Sequence, residues 1–231
     1  MTSAQQLEFA VGSKERVSAL LLRPDDARAC YVFAHGAGAG MRHAAMEAIA
    51  AGLADRGIAT LRYQFPYMEK GSKRPDPPAL AQATVRAAAA EAAKACAGLP
   101  LIAGGKSFGG RMTSQAQAKA PLDGVKGLAF FGFPLHPAGK PSDDRATHLA
   151  EVKIPMLFLQ GTRDALADTS LLKLVVRDLK GVADSKELVA LHLAEGADHS
   201  FHVLKSSGRN DREVLAEILD AFATWADGIV R

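Results

Sequence analysis

Short apolar runs alternate along this chain with longer segments whose apolar residues recur at helical spacing. A compact apolar run bounded by turn residues predicts a strand, and an apolar stripe at i, i+3, i+4 predicts an amphipathic helix. Residues 7–11 and 17–22 predict an opening hairpin, and 29–34 a third strand. An amphipathic helix follows over 44–56, closed by Gly57, because glycine accepts the left-handed conformation that ends helices. Residues 58–63 predict a fourth strand, 78–97 a long alanine-rich helix and 99–104 a fifth strand. The alanine tract at 87–90 strengthens that helix, alanine being the best helix former. Beyond it come a helix at 111–120, strands at 127–132 and 155–160, a helix at 170–179, a strand at 187–193 and a closing helix at 210–229. Eight strands joined mostly by helices predict a largely parallel sheet covered on both faces. No repeat, linker or second domain interrupts the pattern, so one domain is expected over residues 1–231.

Into this pattern falls the run Gly104-Gly105-Lys106-Ser107-Phe108-Gly109-Gly110, between the fifth strand and the following helix. It contains G-x-S-x-G, and strand, sharp turn, helix is the context of a nucleophile elbow. The turn strains the serine backbone, and the flanking glycines let strand and helix approach closely. Gly105-Lys106-Ser107 also resembles the end of a phosphate-binding loop. That motif needs a glycine where this chain has Pro100. A serine that only caps a helix needs no glycine on either side.

A serine nucleophile on such a sheet takes its acid and then its histidine from later strand ends. Strand 155–160 ends in Gly161-Thr162-Arg163-Asp164, and the last strand is followed by Glu195-Gly196-Ala197-Asp198-His199-Ser200-Phe201. Loops at the carboxyl ends of parallel strands share one face, so residues far apart in sequence can meet there. Upstream, His35-Gly36-Ala37-Gly38 follows the third strand where an oxyanion loop belongs. The amides of Ala37 and Phe108 are the expected oxyanion donors, each typically worth about 2.7–4 kcal/mol in the transition state.

Composition narrows the function class. Lys plus Arg total 28 against 25 Asp plus Glu, so the net charge of +3 is too small to imply nucleic-acid binding. Cys30 and Cys96 read as small buried apolar residues, with no disulfide framework and no metal-ligand spacing. No organic cofactor is expected either. The start of the chain lacks a signal-peptide pattern, and no segment nears the roughly 20 apolar residues of a membrane span. The expectation is a cytoplasmic protein with a small-molecule substrate, no membrane partner and an oligomeric state the sequence leaves open.

With these features the chain resembles the α/β-hydrolases. Within them it is similar to the dienelactone-hydrolase-like group, and there to compact proteins carrying G-G-K-S-x-G-G-R at the elbow, here residues 104–111. R-Y-x-F-P-Y at 62–67 and G-F-P-L-H-P at 132–137 belong to the same likeness, which runs from the His35-Gly36 loop to His199. The resemblance implies an α/β-hydrolase fold of about eight mostly parallel strands flanked by helices. Residues 133–152 leave room for a loop and one short helix, not for a large cap domain. The subgroup includes proteins of poorly defined activity, some of them components of larger eukaryotic assemblies, so the likeness bears on fold and leaves substrate open. Dienelactone hydrolases proper use cysteine at the elbow; Ser107 points instead to serine-esterase chemistry.

The expected roles follow. Ser107 is the nucleophile, His199 the base and Asp164 the acid. His202 is the rival base and Asp168 the rival acid; Asp198 reads as a loop or capping carboxylate. His35, Tyr67, Arg111 and His136 are candidate substrate contacts, and Lys106 is expected to face outward or pack its stem. Lys70, Lys73 and Arg74 form a basic cluster that reads as solvated surface or as a site favouring an anionic substrate group. The leading expectation is hydrolysis of a small ester or thioester. An acyltransferase or C–C hydrolase with the same triad, and an interaction module with little or no turnover, remain open.

Overall fold

The computed structural model describes residues 3–182 and 189–230. Eight strands form one sheet in the order β1-β2-β4-β3-β5-β6-β7-β8. They are β1 (Gln5–Val11), β2 (Glu15–Leu22), β3 (Ala29–Ala34), β4 (Ile58–Tyr63), β5 (Leu101–Lys106), β6 (Val125–Phe131), β7 (Met156–Gly161) and β8 (Val189–Ala194). β1 pairs antiparallel with β2, and β2 with β4; every later pairing is parallel. This is the mostly parallel sheet that the pattern predicts, in the α/β-hydrolase arrangement that the resemblance implies.

The helices are α1 (Ala44–Ala54), α2 (Pro66–Glu69), α3 (Pro78–Ala95), α4 (Phe108–Lys119), α5 (Thr169–Val182) and α6 (Asp211–Ile229). The period-2 alternation of the strands divides the core into two layers. Tyr31 and Phe33 of β3 and Phe131 of β6 pack under Met46, Ile49 and Leu53 of α1 and Ile218 and Phe222 of α6. Val32 of β3 and Phe130 of β6 face the opposite way, toward Val85 of α3, Met112 of α4 and Leu172 of α5. With both faces covered, β3 and β4 are buried along their whole length; β3 reads as an unbroken apolar run, while β4 also buries Thr60 and Arg62. Cys30 and Cys96 are buried free thiols.

Three differences from the sequence pattern have physical causes. α4 starts at Phe108 rather than Arg111, because Gly109 and Gly110 lie inside its first turn. α2 is one turn begun by Pro66 at its first position, too short to show a period. β5 runs two residues further than expected, carrying Lys106 into the strand. Residues 187 and 188, expected to open the last strand, lie outside the described residues. Between β6 and β7 there is a 3-10 segment, Asp144–Glu151, and no cap domain. Among the described residues no helix is long and apolar enough to cross a membrane.

Candidate active site

The carboxyl ends of β3, β5, β6, β7 and β8 share one edge of the molecule. Ser107 sits between β5 and α4 with φ 51° and ψ −115°. A non-glycine residue at positive φ is uncommon and costs on the order of 1–3 kcal/mol, so its surroundings must enforce it. Ser107 N donates to Phe131 O at 3.2 Å, tying the turn to β6. A Cβ on Gly105 would stand 2.5 Å from Ala34 O, and one on Gly109 2.5 Å from His35 O. Only glycine permits this approach of the elbow to β3. Among the described residues the N–H groups of Phe108 and Ala37 donate to no acceptor.

Asp164 follows β7 and is 5% exposed. Its Oδ2 accepts from His199 Nδ1 at 2.7 Å and from Gln160 Nε2, and its Oδ1 accepts from Leu166 N at 2.8 Å. The second ring nitrogen of His199 is thereby left to act as acceptor. The loop carrying His199 is braced from inside: Asp198 Oδ1 accepts from the amides of Ser200 (2.7 Å) and His202 (3.0 Å). It is also tied to the acid's loop. Arg163 N donates to Ala197 O at 2.8 Å, and Gly196 N to Thr162 Oγ1 at 2.8 Å. The rivals make other contacts. Asp168 accepts from Leu171 N at 2.9 Å in the first turn of α5. His202 is exposed and pairs with Asp211 at 2.9 Å.

Ser107, His199 and Ala37 line one cleft of about 410 Å³, together with Gly36, Gly38, Lys106 and Leu166. Its far wall is apolar, from Ala45, Met46 and Ile49 of α1. A Cβ on Gly36 would lie 3.8 Å from that of Ser107, so the 35–38 loop passes directly beside the serine.

The four candidate substrate contacts are not among the residues lining this cleft. His35 is fully buried; Nδ1 donates to Gly36 O at 2.7 Å and Nε2 accepts from Phe65 N at 3.1 Å. Burial pushes its pKa down to about 4, so it is neutral at pH 7. Both ring nitrogens are thus engaged by backbone groups of the loops around the elbow. Tyr67 is buried too, and its hydroxyl donates to Ala37 O at 2.9 Å, which buttresses the same loop. His136 Nδ1 donates to Pro137 O and its Nε2 accepts from Asp168 N at 2.7 Å, leaving no ring nitrogen free. Arg111 packs beside the 3-10 segment; burial, with nearby Arg145, holds its guanidinium below the usual range, and among the described residues its Nε has no partner. In the basic cluster, Lys70 pairs with Glu15 at 2.5 Å, and Lys73 and Arg74 are exposed away from the cleft.

Two residues at the site were not expected there. Lys106 turns inward: its Nζ donates to His199 O and lies 5.3 Å from the Phe201 ring centre. Fully buried Gln160 bridges Asp164 and Phe133 N, accepting from the latter at 2.9 Å. Its signal is a lone amide closing the apolar run Met156–Gly161. Lys106 offers no such signal, because its direction depends on where β8 ends.

The protein-family model described as alpha/beta hydrolase domain matches residues 27–227. A dienelactone hydrolase from Anabaena variabilis is 19% identical with a TM-score of 0.76, covering 100% of this chain and 99% of that one. The esterase domain of a Rhodothermus marinus protein is 17% identical with a TM-score of 0.73, covering 99% and 100%. A serine hydrolase without lid from Xanthomonas campestris is 19% identical with a TM-score of 0.70, covering 98% and 95%. At these identities the solved structures speak for the fold, while the family match extends over nearly the whole sequence. The chain therefore belongs to the alpha/beta hydrolase domain family.

Proposed function

We propose that the protein is a serine hydrolase that cleaves a small ester or thioester through an acyl-serine intermediate. The observation that carries this reading is the 2.7 Å hydrogen bond from His199 to Asp164, beside a cleft that His199 and Ser107 share. Ser107 Oγ attacks the carbonyl carbon while His199 Nε2 takes its proton. Asp164 holds Nδ1–H and stabilises the imidazolium that forms. The N–H groups of Phe108 and Ala37 receive the negative charge that develops on the carbonyl oxygen. Collapse of the tetrahedral intermediate expels the alcohol or thiol, which takes the proton from His199. A water then repeats the sequence on the acyl-enzyme and frees the acid.

The apolar α1 wall suits a short apolar acyl group, and the small volume disfavours long chains. Lack of a cap leaves the leaving group toward solvent. Family membership and the esterase and hydrolase names of the structural neighbours agree with this chemistry.

The test is intact-mass labelling with a fluorophosphonate, followed by a panel of acyl esters and thioesters. The expected result is one adduct on Ser107, absent in Ser107→Ala, with turnover falling by at least about 1,000-fold in the variant. A well-folded wild type that neither labels nor turns over any ester overturns the reading and leaves a binding module.

A further inference from the structure

We propose that Lys106 is a positioning residue whose ammonium clamps the main chain of the His199 loop to the strand end that carries Ser107. His199 is then held at two points, its ring by Asp164 and its backbone by Lys106. The contacts stand by themselves; the catalytic consequence rests on the hydrolase reading above.

Lys106 is the last residue of β5 and immediately precedes Ser107. Its side chain crosses the end of β6 beside Gly132 to reach His199 O. Gly132 has φ 68°, and a Cβ there would lie 2.8 Å from Lys106 Nζ and 3.3 Å from the His199 ring. An L-residue there would be strained and would push the ammonium aside. On the far side lies Phe201, 6% exposed and itself at φ 64°. A phenylalanine in the left-handed region is strained. Held there, it stacks edge-on against Phe131 and presents its ring to the ammonium. Two backbone oddities, Gly132 and Phe201, thus flank one cation.

Stability alone does not explain the cation. Burial pushes the amine's pKa down to about 8, against the pull of the Asp164 and Asp198 carboxylates. The folded protein therefore holds this proton less tightly than the unfolded chain does. Keeping the amine charged at neutral pH works against folding. Methionine would fill the same lane without that cost. A cation retained at a cost beside the candidate base is better explained by what it holds. The groups facing it are Asp164 after β7, Asp198 and His199 after β8, and the Phe201 ring. A hydrogen bond from an ammonium is roughly twice as strong as one from a neutral donor. The clamp therefore loosens as pH rises through about 8.

The experiment is amide hydrogen exchange, corrected for intrinsic rates, on wild type and Lys106→Met between pH 6.5 and 9.5. The reporters are Asp198 N, bonded to His202 O, and Phe201 N, bonded to Asp198 O. In wild type their protection is expected to fall about tenfold across pH 8, and in Lys106→Met to be low at every pH. The melting temperature of the variant should be equal or higher at neutral pH. Ester turnover on the same samples should show kcat down about tenfold with KM within about twofold, and a changed alkaline limb.

Flat protection in wild type overturns the clamp even if the variant fails to fold. So does a folded Lys106→Met variant with wild-type protection and an unchanged limb. A wild type without turnover or label overturns the hydrolase reading, and the exchange data then decide the clamp independently.

Discussion

The elbow and the histidine loop meet in one cleft but are built by opposite means. At the elbow the main chain does the work. Ser107 is held at φ 51° because Gly105 and Gly109 bring the turn against β3, where no Cβ fits. At the histidine loop side chains do it. His199 is held through Asp164, Asp164 through Gln160, and the loop backbone through Lys106 and Asp198. Contacts made by close backbone approach tolerate almost no substitution. Contacts made by side-chain hydrogen bonds can be removed singly while the fold persists. The elbow should therefore fail through stability and the loop through rate.

The largest expected effect lies on the loop side. In Asp164→Asn the amide donates where the carboxylate accepted, and His199 takes the wrong tautomer. An expected fall in kcat of about 10,000-fold, with KM and melting temperature little changed, follows from that tautomer. Steady-state kinetics beside calorimetry would check it, and a proportionate loss of stability would break the contrast.

Gly109→Ala tests the other half. Its Cβ would lie 2.5 Å from His35 O and 2.7 Å from Ala34 C, both backbone atoms that cannot swing aside. Overpacking of this kind costs about 1–3 kcal/mol or more. Urea unfolding should show the loss, and a variant of wild-type stability would show that the elbow yields more readily than its contacts imply.

An effect that shows only on acidification sharpens the elbow side. His35 is buried neutral with its pKa near 4, and burial, then Arg111, pushes His148 to about 4 as well. Each has a lower pKa folded than unfolded, so the unfolded chain gains protons first on acidification. Stability should hold above about pH 6.5 and fall progressively toward pH 4, each buried histidine contributing up to about 3 kcal/mol. Denaturation midpoints across that range should fall less steeply in His35→Gln. An equal slope would mean that His35 is not the elbow's acid-sensitive support.

The same contrast explains what could be read from the residues. G-x-S-x-G is a local device: the glycines that permit the turn are two positions from the serine that needs it. Asp164 and His199 were legible at one remove, as polar residues just past apolar strands, and their rivals Asp168 and His202 could not be dismissed by spacing. His35, Tyr67 and His136 looked like substrate contacts because they border the right loops. Whether a side chain at a loop's edge points into the cleft or back into the protein depends on neighbours from other strands. All three turn inward and bond to backbone groups.

By itself the sequence determined the order of the strands and of the longer helices, the mostly parallel sheet and the strained serine, because these follow from periodicity and from where glycine must stand. Tertiary structure alone decided that Gln160 backs Asp164, that Lys106 reaches His199 O, and that Gly132 keeps the lane between them open. Those contacts join β5, β6, β7 and β8 at one edge of the sheet. A hydrogen bond between side chains many residues apart leaves no period or spacing in the chain; it exists only once the strand ends have been brought side by side.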